Sequence, residues 1–269
     1  MKPFHAAPAC GELLRSWRDA RKRSQLNLAL DAGISQRHLS FIESGRSQPS
    51  REMLLQLAEA LELPLREQNR LLLAGGFAPV HPERSLGATE MQAVRQALDL
   101  MLRHHQPYPA VVMDPQWNLL MCNPAWDALV GKLGPDLWER VGGRNVYLLC
   151  FHPLGLQSRL RNWEAAARLM LSRLQREVAA APANGELRQL LNSVLALPGV
   201  PSQWSTQVWP ELPPPLLQLE LDLGAITLKL FSMLSTFGTP LDVTTEELRV
   251  ESFFPGDASS ARFFEELDR

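Results

Sequence analysis

At 269 residues, with 45% hydrophobic side chains and a net charge of −2, the chain has the size and apolar content of a globular protein of two domains. No apolar run approaches the roughly 18 residues that a membrane-crossing helix requires, and no charged, apolar, small-residue leader opens the sequence, so a soluble cytoplasmic protein is expected. Cys10, Cys122 and Cys150 are odd in number, far apart and without a C-x-x-C pair, which argues against a disulfide framework or a cysteine zinc site.

In chain order, residues 11–22 form a first helix with Leu14 and Trp17 facing inward. The stretch SQLNLALDAGISQRHLSFIESGR, residues 24–46, then has the spacing of two short helices around a turn. Ser24 caps the first, because its hydroxyl can accept an unpaired backbone N–H there. Leu26, Leu28 and Ala29 supply that helix's apolar face. Gly33 stands where the helix must end, since glycine enters the left-handed region at no steric cost. Ile34 plugs the turn. Ser35 caps a second helix, Gln36 to Ser44, which stops at Gly45. Its Leu39 and Ile42 face inward, and Gln36, Arg37, Ser40, Phe41 and Ser44 lie outside. A short helix with Gln and Arg at its N-terminal end suits the reading of base edges in a major groove. A fourth helix follows Ser50, with Leu54, Leu57, Ala58 and Leu61 on one stripe, and Pro64 breaks it. Residues 66–74 form a fifth helix closed by Gly75 and Gly76. Residues 1–80 thus read as one helical domain, 81–88 as a linker and 89–269 as a second domain.

The second domain opens with a helix that Thr89 caps. Met91, Val94, Leu98, Met101 and His105 repeat at 3-4-3-4 spacing over two heptads. That stripe either packs on its own domain or forms a dimer seam. Residues 110–113 and 117–122 form a hairpin around Asp114-Pro115. Asn123 caps the next helix, with Pro124 in its first position. Helices over 159–180 and 186–196 and a Pro-rich loop over 198–215 follow. Strands come next at 216–222, 225–236 and 248–254, then a last helix at 258–267. Two strands, helices and three strands can close one antiparallel sheet with helices on one face.

Charge divides along the same boundary. Residues 1–80 hold 11 Lys+Arg and 8 Asp+Glu, a balance of +3, and the remainder holds 16 and 21, a balance of −5. A basic head on an acidic body fits DNA binding by the head alone.

The segment from Gly11 to Pro79, with LLRSWRDAR, the 24–46 stretch and LLQLAEALELP, resembles the Cro and phage-repressor type of helix-turn-helix. QNRLLLAGGFAP, PYPAVVMDPQWNLLMCNPAW, GRNVYLLCFHP and RNWEAAARLMLSRLQ extend the likeness over nearly the whole chain. They make it similar to the MmyB-like transcriptional regulators, in which this module precedes a PAS-like ligand-binding domain. The resemblance implies an α+β protein: an all-α five-helix head, then an antiparallel sheet domain with several helices. It also implies an ion pair between Arg18 and Glu43 that joins the first and third helices.

On this reading, Gln25, the backbone N–H groups beside it and Arg46 hold phosphates. Gln36 and Arg37 enter the groove. Ser35 starts the reading helix and Ser40 donates to a base or a phosphate. Phe41 either touches a thymine methyl or fills the core. One such module spans about half a turn of DNA, so a homodimer on two half-sites is expected. The resemblance further implies a small apolar or amphipathic ligand, fatty acids being one plausible class. Asn123, Trp126, Arg144, Asn145, His152 and Trp163 stand near its pocket, Arg144 as a partner for a carboxylate. The tryptophans at 117, 126, 138, 163, 204 and 209 fill either core or pocket. The alternative is a body that binds a protein partner and has no pocket. No membrane partner, cofactor or metal is expected, because none of the six histidines has metal-ligand spacing. No G-x-S-x-G, P-loop or dinucleotide motif occurs, so an enzyme is not expected.

Overall fold

A computed structural model describes residues 10–181, 184–205 and 216–267. Trp209 and residues 206–215 of the expected Pro-rich loop lie outside them. The chain forms two compact units. One comprises residues as far as Ser85 together with Gly238–Glu246, and the other Leu86–Phe237 with Glu247–Arg269.

The first unit carries five helices, α1 (Cys10–Ala20), α2 (Gln25–Asp31), α3 (Gln36–Glu43), α4 (Arg51–Ala60) and α5 (Leu65–Ala74). Leu14, Leu28, Leu39, Leu54, Leu57 and Leu71 have no solvent exposure and form its core. Three serines start three helices. Ser24 accepts from the Asn27 N–H (3.1 Å), Ser35 from His38 (3.1 Å) and Ser50 from Met53 (3.2 Å). Gly33 and Gly45 close α2 and α3 at φ of +64° and +71°. The expected apolar face of α2 is narrower than its sequence suggests. Leu28 and Ala29 are buried, but Leu26 is 50% exposed, because positions i and i+2 point to different sides of a helix.

One segment of this unit comes from far along the chain. Asp242 is buried and pairs with Arg84 at 3.1 Å, and the Val243 N–H donates to the Pro82 carbonyl at 2.9 Å. Glu246 accepts the Leu65 N–H at 2.8 Å. Pro64 has no side chain with which to cap α5, so Glu246 supplies the anionic cap that a helix N-terminus favours.

The second unit is built on one antiparallel sheet. Its strands are β1 (Ala110–Met113), β2 (Leu119–Cys122), β3 (Leu219–Asp222), β4 (Thr227–Ser235) and β5 (Arg249–Pro255), in the order β2-β1-β5-β4-β3. Register pairs Val111 with Glu251 and Ser232 with Phe253. Around it run α6 (Gln92–His104), α7 (Pro124–Leu133), α8 (Leu137–Arg140), α9 (Val146–Phe151), α10 (Trp163–Ala180), α11 (Gly185–Leu195) and α13 (Ala258–Leu267), whereas α12 (Val243–Glu247) falls, but for its last residue, in the segment grouped with the first unit.

Helices cover both faces of this sheet, not one as the element order suggests. Leu98 and Leu102 of α6 pack with Ala110, Val112 and Val250, while Val111, Met113, Leu228 and Phe253 face the larger core. The reason lies in β1, whose four apolar residues are all buried, the mark of a strand enclosed on both sides. Thr89 does not cap α6. It sits inside a short 3-10 turn, Thr89–Met91, from which α6 continues. Leu98 packs on the unit's own sheet, whereas Met101 of the same stripe is 42% exposed.

Candidate DNA-reading face and ligand cavity

The outer surface of α3 is polar and ordered from beneath. Gln36 and Arg37 are exposed in its first turn, and Ser40 and Phe41 are half-buried one turn on. The Ser35 hydroxyl is occupied by its cap, which fixes where α3 begins. Phe41 stands outside the core cluster, and the Arg37 guanidinium lies over its ring at 5.3 Å. That stacking holds Arg37 extended along the helix surface. Arg46 is exposed just beyond the helix.

Beneath this face Glu43 has no exposed side-chain area. Arg18 meets it with both nitrogens of a fork, Nε at 2.6 Å and Nη2 at 3.0 Å. Gln25 donates to the same carboxylate at 2.8 Å, and Arg15 approaches at 3.5 Å. One amide hydrogen of Gln25 is therefore committed inward, and the other is left for a phosphate. Burial pushes the Glu43 carboxyl up, but the Arg18 fork and the Gln25 bond outweigh it and hold it below the usual carboxylate range. The same pairing raises Arg18. Gly11 makes this seam possible: a Cβ there would stand 2.4 Å from the Ile42 carbonyl oxygen.

The second unit holds a partly open cavity of about 450 Å³. Its wall is mostly leucine, valine and aromatic side chains from α7, α9, α10, β3, β4 and β5. That size and lining suit a small apolar molecule. Four aromatic residues stand in the wall, Trp117, Trp126, Tyr147 and Phe253. Trp117 adopts φ +66°, a conformation costly for a bulky side chain. It is held there by an indole hydrogen bond to Glu177 (3.0 Å), an edge contact with Tyr147 (5.2 Å) and the Arg249 guanidinium 4.2 Å over its ring. Glu177 also accepts from Arg249 at 3.0 Å, so one carboxylate holds both the indole and the guanidinium that lies over it.

The polar groups in the wall are few. Arg173 and Arg176 extend the face of α10 that carries Ala166, Leu169 and Met170. Arg176 is exposed and has no hydrogen-bond or ionic partner among the described residues. Ser232 of β4 donates to Glu251 of β5 at 2.6 Å. Burial raises the Glu251 carboxyl above its ordinary range, against the Ser232 bond and the charge of Arg173. Cys150 is pushed up to about 12 by burial, so its thiol stays neutral. The Tyr147 hydroxyl, also raised by burial, donates to the Met170 carbonyl at 3.0 Å. The Trp126 indole N–H has no acceptor among the described residues.

Of the six positions singled out for the ligand, Trp126 lines the cavity. Asn123 and Asn145 are buried and act as helix caps. Asn123 accepts from the Trp126 N–H (3.1 Å), and Asn145 from Tyr147 (3.0 Å) and Leu148 (3.2 Å). His152 accepts from the Leu154 N–H, Trp163 donates to the Cys150 carbonyl, and Arg144 lies over the Trp138 ring at 5.7 Å. Arg173, Arg176, Ser232 and Glu251 escaped the sequence reading. The one signal for them was the run of Arg173 and Arg176 on the apolar stripe of a long helix.

Family models match both units. One described as MmyB-like transcription regulator ligand binding domain matches residues 94–267, and one described as helix-turn-helix matches residues 14–68. A search of the curated proteins finds no match. Among solved structures, the chain is similar to the restriction-modification controller protein C.AhdI from Aeromonas hydrophila. The identity is 34% over 22% of this chain and 89% of that chain, with a TM-score of 0.21. No helix among the described residues is long and apolar enough to cross a membrane.

Proposed function

The chain belongs to the MmyB-like transcription regulators, and from that premise we propose that it is a homodimeric operator-binding protein whose DNA affinity is set by an amphipathic acid, fatty-acid-like in shape, held in the sheet unit. It is a cytoplasmic regulator and not an enzyme. The observation that carries the ligand reading is the cavity: an apolar volume with Arg173 and Arg176 in its wall. Apolar walls favour a hydrocarbon body, and an exposed guanidinium favours a carboxylate that stays in contact with water. An apolar cavity of this size speaks for this reading over a body that only docks a protein.

In the head, Gln36 and Arg37 read base edges while Gln25 and Arg46 hold phosphates. Two heads on one dimer match two half-sites a helical turn apart. Ligand binding shifts the population between arrangements of the heads, which is a coupling free energy between two sites. Support for a covalent route comes from the β4–β5 connection. Its flanking strands give Ser232 and Glu251 to the cavity wall, and its middle supplies Asp242 and Glu246 to the head's own hydrogen bonds.

The test is a calorimetric titration of full-length protein with decanoic acid, followed by operator binding with and without it. Micromolar binding that is lost in Arg176→Ala, with a shift in operator affinity of about fivefold or more, is the expected result. Identical operator affinity with the cavity full and empty would refute it.

A further inference from the structure

The cavity wall holds more polar chemistry than a plain hydrocarbon acid needs. A carboxylate at Arg176 and Arg173 leaves Ser232 and Glu251 without a task. Yet these two stand on the cavity face of adjacent strands, in line with Leu230 and Phe253, where two further apolar residues would serve an alkyl chain better. Their geometry is set. The Ser232 hydroxyl gives its only hydrogen to Glu251 at 2.6 Å, which leaves the serine oxygen as an acceptor and the far oxygen of Glu251 without a partner among the described residues. That oxygen and the serine oxygen stand side by side as acceptors, on a carboxyl that burial raises above its ordinary range. Arg173 and the pair line the same cavity, and the Arg173 charge acts on Glu251.

We propose that Ser232 and Glu251 recognise a second oxygen of the ligand, a hydroxyl close to its carboxylate, so that the cavity selects β-hydroxy acids with an apolar tail over plain fatty acids. The inference rests on the reading that the cavity takes an acid at Arg176. A hydroxyl beside the carboxylate donates to this pair, whereas a methylene in the same place leaves the free Glu251 oxygen desolvated and unmet. Discrimination by such a site exceeds what an added methylene provides.

The experiment is a calorimetric titration of the full-length protein with decanoic acid, β-hydroxydecanoic acid and ω-hydroxydecanoic acid. It is repeated on Ser232→Ala, Glu251→Leu and Arg176→Ala. The wild type is expected to bind the β-hydroxy acid about tenfold more tightly than the other two, equivalent to about 1.4 kcal/mol. In Ser232→Ala and Glu251→Leu that preference falls to within about twofold while decanoic acid still binds. Arg176→Ala weakens all three acids alike. Ser232→Ala removes one small polar group and keeps the test decisive if Glu251→Leu does not fold. Equal affinities in the wild type, a preference for the ω-hydroxy acid, or a β-hydroxy preference that survives Ser232→Ala would each overturn this proposal and leave the acid reading standing. Failure of all three acids to bind would overturn the acid reading and this proposal with it.

Discussion

The two units place charge in opposite ways. The head buries the Glu43 carboxylate beneath α3 and satisfies it with Arg18 and Gln25, while Gln36, Arg37 and Arg46 stand on a polar outer surface. The sheet unit turns its polar groups inward. Ser232, Glu251, Arg173 and Arg176 line a largely apolar cavity, and Glu177 holds Trp117 in its wall. A surface that reads a stiff, highly charged polymer needs a rigid base and exposed cations. A chamber for a small amphipathic molecule needs apolar area and a few fixed polar contacts. In the head, then, charge is either buried and paired or exposed at the surface, whereas in the sheet unit charged groups stand in the wall of an apolar cavity.

The largest expected effect tests the head's side of that contrast. Glu43→Ala leaves Arg18 without its fork partner, and breaking a buried pair in this way costs about 3–5 kcal/mol. Urea denaturation of the full-length protein followed by helical circular dichroism checks it, and a loss below about 1 kcal/mol would break the comparison. The same pair sets a pH response. The folded Glu43 lies below its unfolded value, so its contribution is complete above the ordinary glutamate range and disappears as pH falls through the folded value. Wild type minus Glu43→Gln stability should therefore be constant at neutral pH and shrink on acidification. A difference that does not change down the acid limb would contradict the assignment.

On the proposed reading of base edges, Arg37→Ala should cost about 1–3 kcal/mol of base discrimination and barely alter the dependence of affinity on salt. Arg46→Ala should weaken binding on every sequence and lower the salt slope by about 1. Operator titrations by fluorescence anisotropy at several salt concentrations separate the two, and the reverse pattern would exchange their roles. The smallest expected change is Ser50→Ala, which removes a cap worth about 1 kcal/mol from α4 while leaving base preference untouched. A change in base preference there would show that the head is less rigid than its hydrogen bonds imply.

Much of the head was legible because its logic is local. Ser24, Ser35 and Ser50 cap helices whose starts they mark, and Gly33 and Gly45 end helices at positive φ. The Arg18–Glu43 pair came from the resemblance, since 25 positions separate the partners and no spacing rule joins them. The five strands were also legible, the last two from their enrichment in Thr, Ile, Val and Phe. Less so was the cavity. Asn123, Asn145 and His152 drew attention as polar residues among apolar ones, yet short polar side chains at helix starts satisfy backbone N–H groups first. Ser232 and Glu251 look like ordinary alternating strand residues, and only the register of β4 against β5 brings them together. Glu246, which caps α5 from 181 positions away, left no trace in the sequence.

The most direct test of a sensor that holds its ligand in the sheet unit is native mass spectrometry of the full-length protein purified from its own host. The account predicts a dimer carrying added mass that leaves on denaturation as an amphipathic acid. A protein that carries no small molecule, and takes up none when incubated with decanoic acid or its hydroxy derivatives, would contradict it.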